Sequence, residues 1–164
     1  MISKTIVSEN FDGLTPPALP AAWTAEADID TAASTARSSP NAMRIDQATG
    51  NRDAAPDLVA AQPDAETICW FRNLGTVSNP HYRLFVRARD LFSAAHDSYR
   101  LRTTTGEARL SRIDNNAATH LAVVAVGQPN AVYTMLRIRA EGTNITCAVR
   151  RDDTGEWRNN LGAW

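Results

Sequence analysis

Residues 97–114 read DSYRLRTTTGEARLSRID, and the fold of the chain turns on how this stretch is taken. Tyr99 and Leu101 alternate with Arg100 and Arg102. Thr105-Gly106-Glu107 then supplies turn chemistry, and ARLSRI resumes an alternating pattern. A period of two on both sides of a glycine turn predicts an antiparallel hairpin. The same pattern spreads outward in both directions. ETICWFR (66–72) and HYRLFVRAR (81–89) precede the hairpin; HLAVVAV (120–126), YTMLRIRAE (133–141) and NITCAVRR (144–151) follow it. Each run is short and rich in β-branched or aromatic residues. Turn-forming segments separate them: residues 73–80, Asp114-Asn115-Asn116, 127–130, Glu141-Gly142-Thr143 and 152–155. No run of useful length carries a helical period. The expectation is an all-β, antiparallel sandwich or barrel.

Alternation also assigns faces. Tyr82, Leu84 and Val86 oppose Arg83, Phe85, Arg87 and Arg89; Leu136, Ile138 and Ala140 oppose Arg137 and Arg139; Ile145, Cys147 and Val149 oppose Asn144, Thr146 and Arg150. The arginines are therefore expected on the solvent side, their stems covering apolar surface. HLAVVAV is apolar on both faces and predicts a central strand, or one covered by another segment. Residues 13–66 are rich in Ala, Pro, Asp, Ser and Thr, and read as loops with short strands at 41–45 (NAMRI) and 57–60 (DLVA).

A chain of 164 residues is one domain long and can bury a core without staples. Its net charge of −1 argues against wholesale nucleic-acid binding. The charge is unevenly spread: sixteen of the seventeen basic residues are arginine, and most lie after residue 70. Genome composition explains that on the bland reading; a basic sheet face for an anionic partner is the sharper one. Cys69 and Cys147 sit in apolar strand-like runs, where free buried thiols are the default and a disulfide would need facing geometry. No charged-then-apolar leader opens the sequence and no window approaches a membrane span, so a soluble chain is expected. The sequon Asn144-Ile145-Thr146 falls in a predicted strand.

FDG at 11–13, Trp23 ten residues on, SSPNAMRID (38–46), SYRLRTTTGEARLSRID (98–114) and YTMLRIRAEGTNITCAVRRDDTGEW (133–157) come in an order that resembles the concanavalin A-like, laminin-G-type jelly rolls. The resemblance covers most of the chain and implies a single antiparallel jelly-roll β-sandwich over residues 1–164. It also implies two or three strands after the turn at Trp157, whereas the sequence stops at Trp164. The expectation is a sheet completed by a longer parent chain or a partner, so that the opening strand does not present a bare edge. A structural calcium near the first strand is a further implication, with Glu9 and Asp12 as its candidate ligands. The plainer reading is that Asp12 caps the turn into Gly13 while Phe11 plugs one end of the sandwich.

Chemistry beyond that is thin. Glu26-Ala27-Asp28-Ile29-Asp30 approaches the alternating carboxylates of a retaining glycoside hydrolase, but Thr31 follows where a further acid is needed. Residues 152–156 (DDTGE) lack the alternating oxygens of a calcium loop and suit a hairpin turn. His81, His96 and His120 have no zinc spacing, and no nucleophile elbow, phosphate loop or dinucleotide fingerprint occurs. Trp70, Trp157 and Trp164 could form an aromatic platform for sugars, Trp157 best of all because it follows a turn.

The expected function is a non-enzymatic structural or surface-binding module without cofactor. Its expected setting is a virion: a bacteriophage tail, fibre, baseplate or capsid decoration, which reaches the outside as part of a particle. The expected partners are other protein chains of an oligomeric assembly, or a surface glycan, with neither nucleic acid nor membrane. The alternative is an extracellular carbohydrate-binding module of a larger secreted enzyme or adhesin, and a glycoside hydrolase ranks third.

Overall fold

A computed structural model describes residues 64–72, 81–89, 93, 95–104, 106–125 and 131–158, together with residues 18, 20–21, 23–25, 29–32, 42–45 and 54–56. The chain divides into two compact units, Met1–Val59 and Ala60–Trp164. Among the described residues all regular structure is strand, and every sheet is antiparallel.

In the first unit, β1 (Trp23–Ala25) pairs with β4 (Ala54–Pro56), and β2 (Ile29–Ala32) pairs with β3 (Ala42–Ile45). Ala42–Ile45 of the run NAMRI is thus a strand, as expected. The run at 57–60 lies outside the described residues.

The second unit holds β5 (Ala65–Arg72), β6 (Tyr82–Arg89), β7 (Asp97–Thr103), β8 (Glu107–Asp114), β9 (Ala117–Ala125), β10 (Tyr133–Glu141) and β11 (Asn144–Arg151). One sheet runs β11-β10-β5 and the other is a meander, β6-β7-β8-β9. The two share one apolar interior, the arrangement of a β-sandwich: Leu84, Val86, Leu101 and Ala108 from the meander pack with Leu136, Ile138, Ala140 and Val149 from the three-stranded sheet. Leu136 and Ile138, on the central strand β10, are 0% exposed. Side chains of this size contribute about 1.5–3 kcal/mol each when fully buried.

Turn chemistry sets the hairpins. In the β7–β8 turn the Thr104 hydroxyl accepts from the amides of Gly106 and Glu107 (both 3.2 Å), while the Thr104 amide donates to the Glu107 carbonyl at 2.8 Å. Asn115 and Asn116 take left-handed φ values of 46° and 64°, which gives the two-residue turn before β9 its twist. Asn tolerates that region because its short side chain bonds locally.

The sandwich is pinned along the β5–β6 side. Thr67 Oγ1 donates to the Phe85 carbonyl at 2.8 Å, and Phe71 stacks on Tyr82 with centroids 4.6 Å apart. Arg87, left-handed at φ 52° where β6 bulges, donates to the Gly142 carbonyl (2.6 Å); Asp64 accepts from the Gly142 amide (2.9 Å).

The far side differs from expectation. Residues 120–125 of HLAVVAV form most of β9, which stands at the end of its sheet among the described residues, and Leu121 and Val123 are each 51% exposed. Inter-sheet contacts run from β5 to β6 and from β10 to β6 and β7. Among the described residues, three strands against four leave the last one uncovered. Sequence composition reports that a strand is apolar on both faces; it does not report what lies opposite.

The arginine faces divide. Arg137 and Arg139 lie on the partly open outer face of β10, as alternation predicts. Arg100, Arg102 and Arg109 instead share a face with Ser98, Ser111 and Ile113, all buried, and their Nε atoms are out of reach of water. Cys69 and Cys147 are free, and Cys147 is exposed despite its inward register. They pair with Leu136 and Ile138 on opposite sides of β10. Two strand spacings, roughly 9.5 Å, separate them, beyond disulfide reach. Burial pushes the Cys69 thiol up to about 11, leaving it unreactive.

Replacing Ile138 by Ala is expected to cost about 2–5 kcal/mol, read as a lower denaturant midpoint. Leu121→Ala should stay within about 0.5 kcal/mol. A large loss at Leu121 would show that β9 is covered after all.

Candidate binding surfaces

The outer face of the three-stranded sheet carries Trp70 and Trp157, two of the site residues expected from sequence. Trp70 and Arg150 are both cross-strand partners of Met135, and Trp157 bridges to Arg150 beyond the edge of β11. Direct cross-strand partners project from the same face. Trp70, Met135, Arg150 and Trp157 therefore form one transverse row, with Trp70 37% and Trp157 50% exposed while Met135 is buried. The row beside it pairs Arg72 with Tyr133. In each row a guanidinium lies over an aromatic ring: Arg72 over Tyr133 and Arg150 over Trp157, both 5.6 Å from the centroid. At the end of this face a shallow cleft of about 340 Å³ is lined by Arg72, Ala131, Val132, Tyr133, Asp152 and Asp153.

The turn 152–156 holds Trp157 in place. Asp153 takes both ends of the Arg151 fork, Nε at 3.1 Å and Nη2 at 2.8 Å, and accepts from the Thr154 amide at 2.9 Å. The Arg151 hydrogen bonds hold the Asp153 carboxyl below the usual carboxylate range. Glu156 accepts from Thr154 Oγ1 at 2.9 Å. Gly155 is left-handed at φ 73°, and a Cβ there would stand 3.1 Å from Arg150 Nη2. Glycine thus lets the Arg150 guanidinium lie along the turn, its Nε donating to the Gly155 carbonyl at 3.1 Å.

The proposed calcium ligands Glu9 and Asp12 lie outside the described residues, as do Glu26, Asp28 and Trp164. Among the described residues no group of three or more His, Cys, Asp and Glu side chains is placed to hold a metal ion.

Sequence reading missed one side-chain pair. Ser111 Oγ lies 3.0 Å from His120 Nδ1, and Arg109 Nη1 lies 2.9 Å from His120 Nε2. The cause is a bulge: Leu110 pairs with Ala122 and Ser111 with His120, so Leu121 is the extra residue that turns His120 onto Ser111. A guanidinium can only donate, which leaves Nδ1 to carry the proton toward Ser111. Ser111 is 0% exposed, and a cation stands where a serine-hydrolase triad needs a carboxylate. The pair is structural.

Arg83, Arg102 and Arg109 are cross-strand neighbours in the meander, and Glu107 bridges two of them: Arg109 Nη2 at 2.5 Å and Arg102 Nη2 at 2.9 Å. The third surface is β9 itself, nine residues without a charge or a proline. Arg158 donates to the Ala125 carbonyl at its last residue.

No family model, curated protein or solved structure matches this chain.

Hydrogen bonds from Arg109, ahead of those from Arg102, hold the Glu107 carboxyl below its ordinary range. A depressed folded pKa stabilises above the unfolded value, about 4.3, and that stabilisation is lost as pH falls through the folded value. Glu107→Gln should therefore be less stable than the parent at pH 7, with the difference closing as pH drops below about 4.3. Thermal melts across that range check it. A difference that widens in acid would contradict the assignment.

Proposed function

We propose that the chain is a non-enzymatic β-sandwich module, of concanavalin A-like jelly-roll type, that works by packing into an assembly or onto a surface. The observation that carries this reading is β9. Among the described residues β9 is an edge strand of nine residues, uncharged, free of proline and largely exposed on both faces, and it lacks the devices by which solitary sheets discourage pairing. Such an edge suits strand addition from another protein chain, including a further copy of this one. The setting we propose is a virion component, where repeated chains meet side by side. A second reading, a carbohydrate-binding module, has its own support in the Trp70–Trp157 row, since large aromatic faces left in water at a sheet surface are binding features more than packing ones.

Analytical ultracentrifugation over a concentration series tests the first reading. The parent chain should self-associate, and Val123→Lys should shift it to monomer without lowering its melting temperature, because Val123 faces water. A parent chain that stays monomeric throughout the series would remove β9 as the assembly contact.

A further inference from the structure

We propose that the outer face of the three-stranded sheet binds a carboxylated polysaccharide, a polymer rich in uronic acid. The inference rests on the second reading above and names its ligand class.

The face offers aromatic surface and unspent positive charge together. Trp70 and Trp157 stand three strand spacings apart, roughly 14 Å, with Arg150 between them and Arg72 in the adjacent row. That span calls for an oligosaccharide. The carbon–hydrogen face of a pyranose ring stacks on an indole as other apolar surface does. Arginine supplies the second element, because its planar fork takes a carboxylate with two parallel hydrogen bonds.

Four arginines lie on this face, and they differ in what they already hold. Arg137 is committed to Glu66 at 2.5 Å and Arg139 to Glu141 at 2.8 Å. Arg72 and Arg150 each give Nε to a backbone carbonyl, Ala131 at 3.1 Å and Gly155 at 3.1 Å, and each lies over a ring. Neither forms an ion pair among the described residues. With Nε fixed and the ring beneath, the two guanidiniums are already oriented, so little side-chain freedom remains to be lost on binding.

Carboxylates on the same surface decide between anionic polymers. Glu66 stands beside Arg137, and Asp152 and Asp153 line the cleft next to Arg72. A phosphodiester backbone has no hydrogen-bond donor to offer these acids and meets them with like charge alone. A uronic-acid polymer spaces its carboxylates among hydroxyls, which can donate to Glu66, Asp152 and Asp153 while its carboxylates meet Arg72 and Arg150. The mixture of arginine without an ion pair among the described residues, carboxylate and indole therefore matches an acidic glycan better than a nucleic acid.

Affinity electrophoresis in polygalacturonate, with neutral β-glucan and oligothymidylate as comparison probes, is the test. Polygalacturonate should retard the chain, and added sodium chloride should weaken that retardation. Arg150→Gln and Arg72→Gln should each weaken it about tenfold, the loss of one charge-assisted contact, as should Trp157→Ala. Gly155→Ala should weaken it too, by moving Arg150 off the indole. Arg112→Gln, on the other sheet and ion-paired to Asp114, should leave retardation unchanged. Matching melting temperatures separate these losses from unfolding. Equal weakening in Arg112→Gln, or tighter binding of oligothymidylate, would overturn the proposal in favour of unspecific charge attraction. Retention by neutral β-glucan but not by polygalacturonate would sink the acidic-glycan inference and leave the carbohydrate reading standing. Retention by neither glycan would sink both and leave the assembly reading to its own test.

Discussion

The contact on which the second unit depends is the seating of β10 across the meander. Leu136 and Ile138 lose all exposure to Leu84, Val86 and Leu101 on the facing sheet. The same strand receives β5 on one side and β11 on the other. Fixing β10 therefore fixes which side chains of three strands point outward. Met135 sits between its two buried neighbours in sequence and must face away from them, and its cross-strand partners Trp70 and Arg150 follow it. The platform is the reverse side of the core.

Placement of β10 also explains the bare strand. The three-stranded sheet engages the meander at its β6 and β7 end, where Thr67, Phe71 and Arg87 tie the layers together. At the other end, among the described residues, β9 has a strand partner on one side only. Arg158 reaches its final carbonyl, and among the described residues no further strand pairs with that edge. Leu121 and Val123 each keep about half of their surface in water in that position. They are consistent with a role in contact, as are the half-open indoles of the opposite sheet.

Much of this was legible from residues alone. The β7–β8 hairpin, the Asn115-Asn116 turn and the alternation along β10 follow from local patterns, because turn chemistry and a period of two are properties of neighbours in sequence. The prominence of Trp157 was also readable from the turn before it. What could not be read depends on register and on layer order. Joining Trp70 to Trp157 requires both to meet in one row through Met135 and Arg150, and nothing within either segment states that. The Ser111–His120 pair needs the bulge at Leu121, an irregularity that alternation smooths over. The solvent side assigned to the arginines holds for Arg137 and Arg139, whereas Arg100, Arg102 and Arg109 share a face that buries Ser98, Ser111 and Ile113. Of the two positions expected for HLAVVAV, a central strand or one covered by another segment, the first does not hold, because β9 ends its sheet, and among the described residues no strand supplies the second.

Amide hydrogen exchange at two protein concentrations tests the central claim most directly, because it reads the edge of β9 and the interior of β10 in one sample. The amides of β10 should be the slowest to exchange at both concentrations. Those of β9 should exchange fast when dilute, and alternate amides along it should become protected when concentrated, the signature of a strand added at an open edge. Protection of β9 that is equal to that of β10 in dilute solution, or that does not change with concentration, would contradict the account.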